Sequence, residues 1–283
     1  MPCRNNYLED VPVLIKGIAG RLRSSKRTLS MRALFPILVI ALLPGCAASP
    51  ASPHTFQQVL DQHAAAHGGR AAIEGVERLQ IDLAIDEPPF VLAARYSASR
   101  DGRMRIDVYS DDIRVFSEGF NGRNGWQWPG GTEQPVAMSV AGEAAIKRGI
   151  VGNLYGLHER PALGYDLHYN GTEDAGETRF HVIESTSPDG FVERFYIDAD
   201  TGRLAQKREI SSLHPDTDPV EQAYVTHFGD YRVVDGRWFS FRSEKRPPGS
   251  DVAVQTVILT SVIINPDLPD ELFLPEVNFT EPE

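Results

Sequence analysis

Cysteine is scarce in this chain. Its 283 residues include only two, Cys3 and Cys46. An even count in an exported protein points to a disulfide, but Cys3 lies before the apolar run Ala33 to Leu43 and Cys46 just after it. The chain beyond position 46 therefore has no pair to oxidise and no thiols for a zinc or iron–sulfur site. Long apolar runs are missing as well: Ala33 to Leu43 falls well short of the roughly 20 residues a membrane-spanning helix needs. Positive charge is in deficit, with 28 Lys+Arg against 39 Asp+Glu and a net charge of −11. Seven of the basic residues but only Glu9 and Asp10 of the acidic ones precede Cys46, so the remainder is more acidic still. Such a surface repels phosphate backbones and anionic head groups and argues against nucleic-acid binding. No Gly-x-Ser-x-Gly occurs, and FNGRNGWQWPGG lacks the Gly-Lys-Ser/Thr ending of a phosphate loop and reads as a strand turn. No fixed-period repeat is present either.

What is present begins with Met31 to Cys46, MRALFPILVIALLPGC. A short apolar stretch behind Lys26, Arg27 and Arg32 and before a small residue reads as a secretory signal. Leu43-Pro44-Gly45-Cys46 is similar to a bacterial lipobox, with Pro44 where Ala or Ser is usual. The expectation is a signal peptide over 1–45, with Met31 as a second candidate start, lipid attachment at Cys46, and a Pro- and Ser-rich tether through 53. An ordinary signal peptide with an incidental cysteine is the bland alternative. One domain follows over 54–283, and about 230 residues suffice for a hydrophobic core.

Thr55 can cap a helix in which Phe56, Val59, Leu60 and His63 recur at helical spacing, and Gly68-Gly69 ends it. A second short helical piece, RAAIEGV, follows. From Glu77 the period becomes two: Leu79, Ile81, Leu83 and Ile85 alternate, as do Leu92, Ala94 and Tyr96, then Met104, Ile106 and Val108. Residues 139–157 (SVAGEAAIKRGIVGNLYGL) interrupt the strands as a helix despite Gly142, Gly149 and Gly152. Strands then resume to the end. The fold class is mainly β (α+β), with about ten or eleven antiparallel strands, too many for one flat sheet. A strongly curved sheet closed by helices follows, able to enclose an apolar cavity for acyl chains.

The order HGGRAAIEGVERLQ, FNGRNGWQW, inserted helix, FYIDADTGRL, FGDYRVVDGRWFSF and NPDLPDELFLP, placed behind a lipobox, resembles the LolA/LolB-like lipoprotein-localisation superfamily over nearly the whole mature chain. That resemblance implies a half-open β-barrel with a helical lid and an activity of carrying or receiving lipoprotein acyl chains, or other lipid, without catalysis. It implies a periplasmic carrier protein as a partner. The lipobox favours the membrane-anchored type, and Ala47 favours the outer membrane, facing the periplasm. The family's lid-locking arginine and protruding apolar loop have no assignable position in the sequence. The candidate cavity residues are Leu83, Leu92, Ala94, Met104, Ile106 and Trp126, with the helix near 144–154 as gate. The competing readings are a structural lipoprotein with a filled barrel and, behind it, a hydrolase.

His63 and His67 lie one helical turn apart, as in zinc sites, but Gln62 and Ala64 flank the first where the hydrolytic motif needs Glu. With no third ligand they read as surface residues, and neither metal nor cofactor is expected. Glu193, Asp198 and Asp200 form an acidic cluster of the kind strand ends produce freely. Trp126 and Trp128 share one face of a strand, as core or as cavity wall.

Overall fold

The computed structural model describes residues 55–132 and 134–275. The signal segment, Cys46 and the tether lie outside the described residues. Thr55 caps α1 (Phe56–Ala66) through a reciprocal pair: its hydroxyl accepts from the Gln58 amide, and the Gln58 side chain accepts from the Thr55 amide. Gly68 and Gly69, both at positive φ, turn the chain into α2 (Arg70–Glu74).

Among the described residues thirteen antiparallel strands make one curved sheet. β1 (Arg78–Glu87), β2 (Phe90–Ser99), β3 (Arg103–Ser110), β4 (Ile113–Asn121), β5 (Gly125–Pro129) and β6 (Val136–Ala137) step outward to one edge. Helix α3 (Val140–Leu154) and a 3-10 turn, Leu157–Leu163, then carry the chain to the opposite edge. There β7 (Asp166–Ala175) begins the return through β8 (Thr178–Thr186), β9 (Val192–Asp198), β10 (Leu204–Ser211), β11 (Gln222–Val234), β12 (Arg237–Arg246) and β13 (Gln255–Ile264). β13 pairs with β1, which closes the meander in the middle of the sheet. The edges β6 and β7 do not pair with each other, so the sheet stays unclosed. A last 3-10 turn, Asp270–Phe273, follows.

The strand count exceeds the ten or eleven expected, in part because β6 has only two residues and so no alternation to read. Topology explains why helices cover one face. The segment joining the two edges must cross the sheet, and it carries its apolar residues against it. α3 packs on β2, β3 and β4, placing Ile146, Ile150 and Leu154 in one core with Leu79, Ile81, Tyr96, Met104, Phe120, Phe239 and Phe241. α1 and the first 3-10 turn cover the other half, where Val59, Leu60 and Leu157 meet Ile183, Phe195 and Ile197.

Candidate functional site

The inner, helix-covered face can be followed strand by strand from the pairing register. Leu83 lies opposite Ala94, Ile85 opposite Leu92, Tyr96 opposite Ile106 and Ala98 opposite Met104. Cross-strand partners share a face, so Leu83, Leu92, Ala94, Met104 and Ile106 lie on one apolar wall. Met104 is buried in the core under α3; Leu83 and Ile106 pack half-buried against that core; Leu92 is half-buried outside it.

Trp126 does not join them. It pairs with Gly119, which pairs with Arg105, and these alternate with Met104 and Phe120 on the inner side. Trp126 is buried on the outer face, where its Nε1 donates to the Phe273 carbonyl at 3.0 Å and the Arg105 guanidinium lies 5.5 Å from its ring centre. Gly119 is required there, since a Cβ would come within 2.6 Å of the indole.

α3 lays Ile146, Ile150 and Leu154 on the sheet and is fastened along its length: Glu143 accepts from the Gly125 amide at 2.7 Å, Arg148 pairs with Asp189, and further polar groups hold both ends. Asp216, in the loop from β10 to β11, accepts from the amide of Ser139, the N-cap of α3, at 2.7 Å and from Gln127 Nε2 at 3.1 Å. In the same loop His214 bonds Glu87 at 2.6 Å, and that bond raises the His214 pKa. At the other end Arg100 donates to the carbonyls of Ile73, Val76 and Leu154 and pairs with Glu159 at 2.6 Å. Arg237 donates to the Asn153 carbonyl at 3.0 Å and to that of Leu154. Cations at the last carbonyls of a helix complement its dipole. Gly149 and Gly152 face open space, so α3 spends helix propensity without gaining packing there.

The other half of the inner face carries a row of buried charges. Arg160 Nη1 contacts Glu193 at 2.8 Å, Lys207 bridges Glu193 and Glu209 at 2.9 and 2.7 Å, and Lys245 meets Glu209 at 2.9 Å. At Glu193, Lys207 and Glu209 burial opposes charge, but the partners outweigh it. Lys207 is held above the usual lysine value, Glu193 below the carboxylate range, and Glu209 falls to about 2. Glu193 is thus locked in this row, while Asp198 accepts from Asp200 and Thr201 in the turn at the other end of β9. The acidic cluster seen in sequence does not assemble.

The two histidines are not surface residues. His63 is 8% exposed beneath the β9–β10 turn and donates Nδ1–H to the Gly202 carbonyl; His67 donates to the His63 carbonyl, each at 2.9 Å. Burial, then His67, depresses the His63 pKa to about 3. Among the described residues no group of three His, Cys, Asp or Glu is placed to hold a metal ion.

This architecture has known counterparts. A LolA superfamily protein from Nitrosomonas europaea superposes with a TM-score of 0.52 at 12% identity, covering 78% of this chain and 98% of that one. The chain has the LolA superfamily fold. A Vibrio parahaemolyticus domain named for outer membrane lipoprotein sorting matches at TM-score 0.50 and 9% identity, over 76% of this chain and 94% of the other. A DUF1329 family protein from Desulfovibrio piger matches at 0.50 and 12%, over 77% and 96%. No protein-family model and no curated protein sequence matches the chain. The likeness is one of fold, and within it the helices that lie over the inner face belong to the half-open sheet. No helix among the described residues is long and apolar enough to cross a membrane.

Sequence reading missed three things here: the fastenings of α3, the charged row and the burial of the histidines. Arg160 and Glu193 are 33 positions apart, Arg100 and Glu159 are 59, and no local pattern announces either pair.

Proposed function

We propose that the chain is an exported lipoprotein, anchored through Cys46 to the periplasmic side of the outer membrane. It binds or receives lipoprotein acyl chains, or other lipid, on the inner face of its sheet without catalysis. The observation that carries this reading is the apolar wall of Leu79, Ile81, Leu83, Met104 and Ile106 beneath a helix that contains three glycines. A helix of three glycines is intrinsically weak, by about 1 kcal/mol for each relative to alanine. It can leave the wall without unfolding the sheet. Leu83, Ala94, Met104 and Ile106 then line the space exposed, and Leu92 extends the same wall beyond it. The partner is a soluble periplasmic carrier that delivers the acylated cargo.

The test is lipid that co-purifies with the protein, identified by mass spectrometry, together with titration of a fluorescent acyl probe. Saturable probe binding supports the reading. A protein that carries no lipid and binds no probe is a structural lipoprotein with a filled sheet. The small cavity of about 110 Å³ beneath the helices favours that second reading, because acyl-sized pockets run to about 300 Å³ or more.

A further inference from the structure

That cavity has a chemistry of its own. It lies where α1, the end of α3, the first 3-10 turn and β12 meet, and its lining includes His63, His67, Tyr155, Arg160, Phe195 and Arg237. None of its lining residues is acidic, in a chain whose acidic residues outnumber its basic ones 39 to 28.

Arg237 is 8% exposed and bonds only backbone carbonyls; no carboxylate among the described residues pairs with it. Burial, then Arg100, pulls its pKa down to about 10. Dipoles of two carbonyls solvate a guanidinium but do not neutralise it; the Glu159 carboxylate acts on Arg237 from a distance but is paired with Arg100, and a buried charge without a counter-ion of its own is costly. Arg160, 3% exposed, gives Nη1 to Glu193 and Ser185 and leaves its Nε with no partner. Since both histidines donate from Nδ1 to carbonyls, each keeps Nε2 for a further proton.

We propose that this cavity is a binding site for a small oxyanion, a phosphate, sulfate or carboxylate group, held by Arg237 beside the His67 imidazole, with Arg160 in the wall. The space suits such a group and not an acyl chain. The site goes beyond the acyl-binding reading and does not depend on it. Two sources share the chemistry: a free anion, or the head group of an amphiphile. The second has a geometric route, because Tyr155 both lines the cavity and packs against the apolar wall under α3.

A proton accompanies the anion. His67 is kept neutral by burial and by Arg237 and Arg203, against the help of its bond to the His63 carbonyl. The other groups facing it are His63 on α1, Arg160 in the 3-10 turn and Tyr231 on β11, whose ring lies edge-on at 5.7 Å. A bound anion favours the imidazolium, so affinity rises as pH falls.

The test is calorimetric and thermal-shift titration of the full chain with sodium sulfate against sodium chloride at equal ionic strength, at pH 6 and pH 8. Sulfate stays doubly charged over that range, so the protein alone supplies any pH dependence. Parallel arms use inorganic phosphate and short-chain phosphatidic acid, with the matching diacylglycerol as control. Expected are saturable sulfate binding several-fold tighter at pH 6, at least tenfold weaker binding in Arg237→Gln, and loss of the pH dependence in His67→Gln. Binding of phosphatidic acid alone, lost in Arg237→Gln, assigns the site to a head group; binding of the free ions assigns it to those. If Arg237→Gln does not fold, the imidazole resonances of His67 in the wild type decide. Saturable binding that leaves them unmoved overturns the site, as does the absence of any response beyond chloride in all arms. The acyl-probe titration run alongside separates the two proposals: intact probe binding with no anion response sinks only this one.

Discussion

Arg100, in the turn between β2 and β3, donates Nη2 to the carbonyl of Leu154, the last residue of α3, at 3.0 Å. The same guanidinium reaches the carbonyls of Ile73 and Val76 and the carboxylate of Glu159. One side chain therefore ties α2, α3 and the first 3-10 turn to the sheet. Replacing it takes a charged donor from three carbonyls and the ion-pair partner from Glu159, at a site where the Arg100 side chain is 13% exposed. Arg100→Gln is expected to cost about 3 kcal/mol in urea unfolding. It should also raise hydrogen exchange in the last turn of α3 well before exchange in β1 or β13. Equal acceleration everywhere would mean that Arg100 does not hold the helix in particular.

The row Arg160–Glu193–Lys207–Glu209–Lys245 makes stability depend on acid. Both glutamates have folded pKa values below their unfolded ones. Their contribution is therefore full above the unfolded carboxylate range, near pH 4.5, and is lost as pH falls towards about 2, the folded value of Glu209. Melting temperature followed from pH 6 to pH 2 should drop through this window, and less steeply in Glu209→Gln. At pH 7 Glu193→Gln leaves Arg160 and Lys207 short of a counter-charge and is expected to cost about 3–5 kcal/mol.

Leu92 and Met104 share the inner face but differ in depth. Leu92 is half-buried away from α3, whereas Met104 is 6% exposed beneath it. Leu92→Asp should stay folded by circular dichroism and lose acyl-probe affinity several-fold. Met104→Asp buries an unpaired carboxylate and should unfold the chain or remove more than about 3 kcal/mol of its stability. Unchanged probe binding in a folded Leu92→Asp would count against the wall as a binding surface.

Trp126 offers a control from the opposite face. Trp126→Phe forfeits the bond to the Phe273 carbonyl, at about 1 kcal/mol, and is expected to leave acyl-probe affinity unchanged. Brominated acyl chains should quench tryptophan emission no less in this variant than in the wild type.

Cys46→Ser tests the anchor. The variant should accumulate as a larger precursor and leave the membrane fraction, because three acyl chains hold a protein firmly where one does so reversibly. A wild-type mature N-terminus at any residue other than Cys46 would refute the lipid attachment.

Local pattern alone determined the element types. The alternation Leu79, Ile81, Leu83, Ile85 makes a strand with one apolar face, Thr55 with Gln58 starts a helix, and apolar residues at Ile146, Ile150 and Leu154 make α3 despite its glycines. Each of these signals is carried by residues within a turn or two of one another, where backbone geometry dictates which side chains are neighbours. Tertiary structure decided the rest. Trp126 and Met104 both look apolar and inward from their own strands, yet the register from β3 through β5 sends them to opposite sides, and the turn Asp270–Phe273 covers the outer one. His63 and His67 look like surface residues until the β9–β10 turn closes over them. Strand order, with β13 beside β1 and α3 crossing between the free edges, depends on contacts far apart in the chain. So do the pairing of Arg160 with Glu193 and the lack, among the described residues, of a carboxylate in contact with Arg237, because charges find partners through space and the distance along the chain does not constrain them.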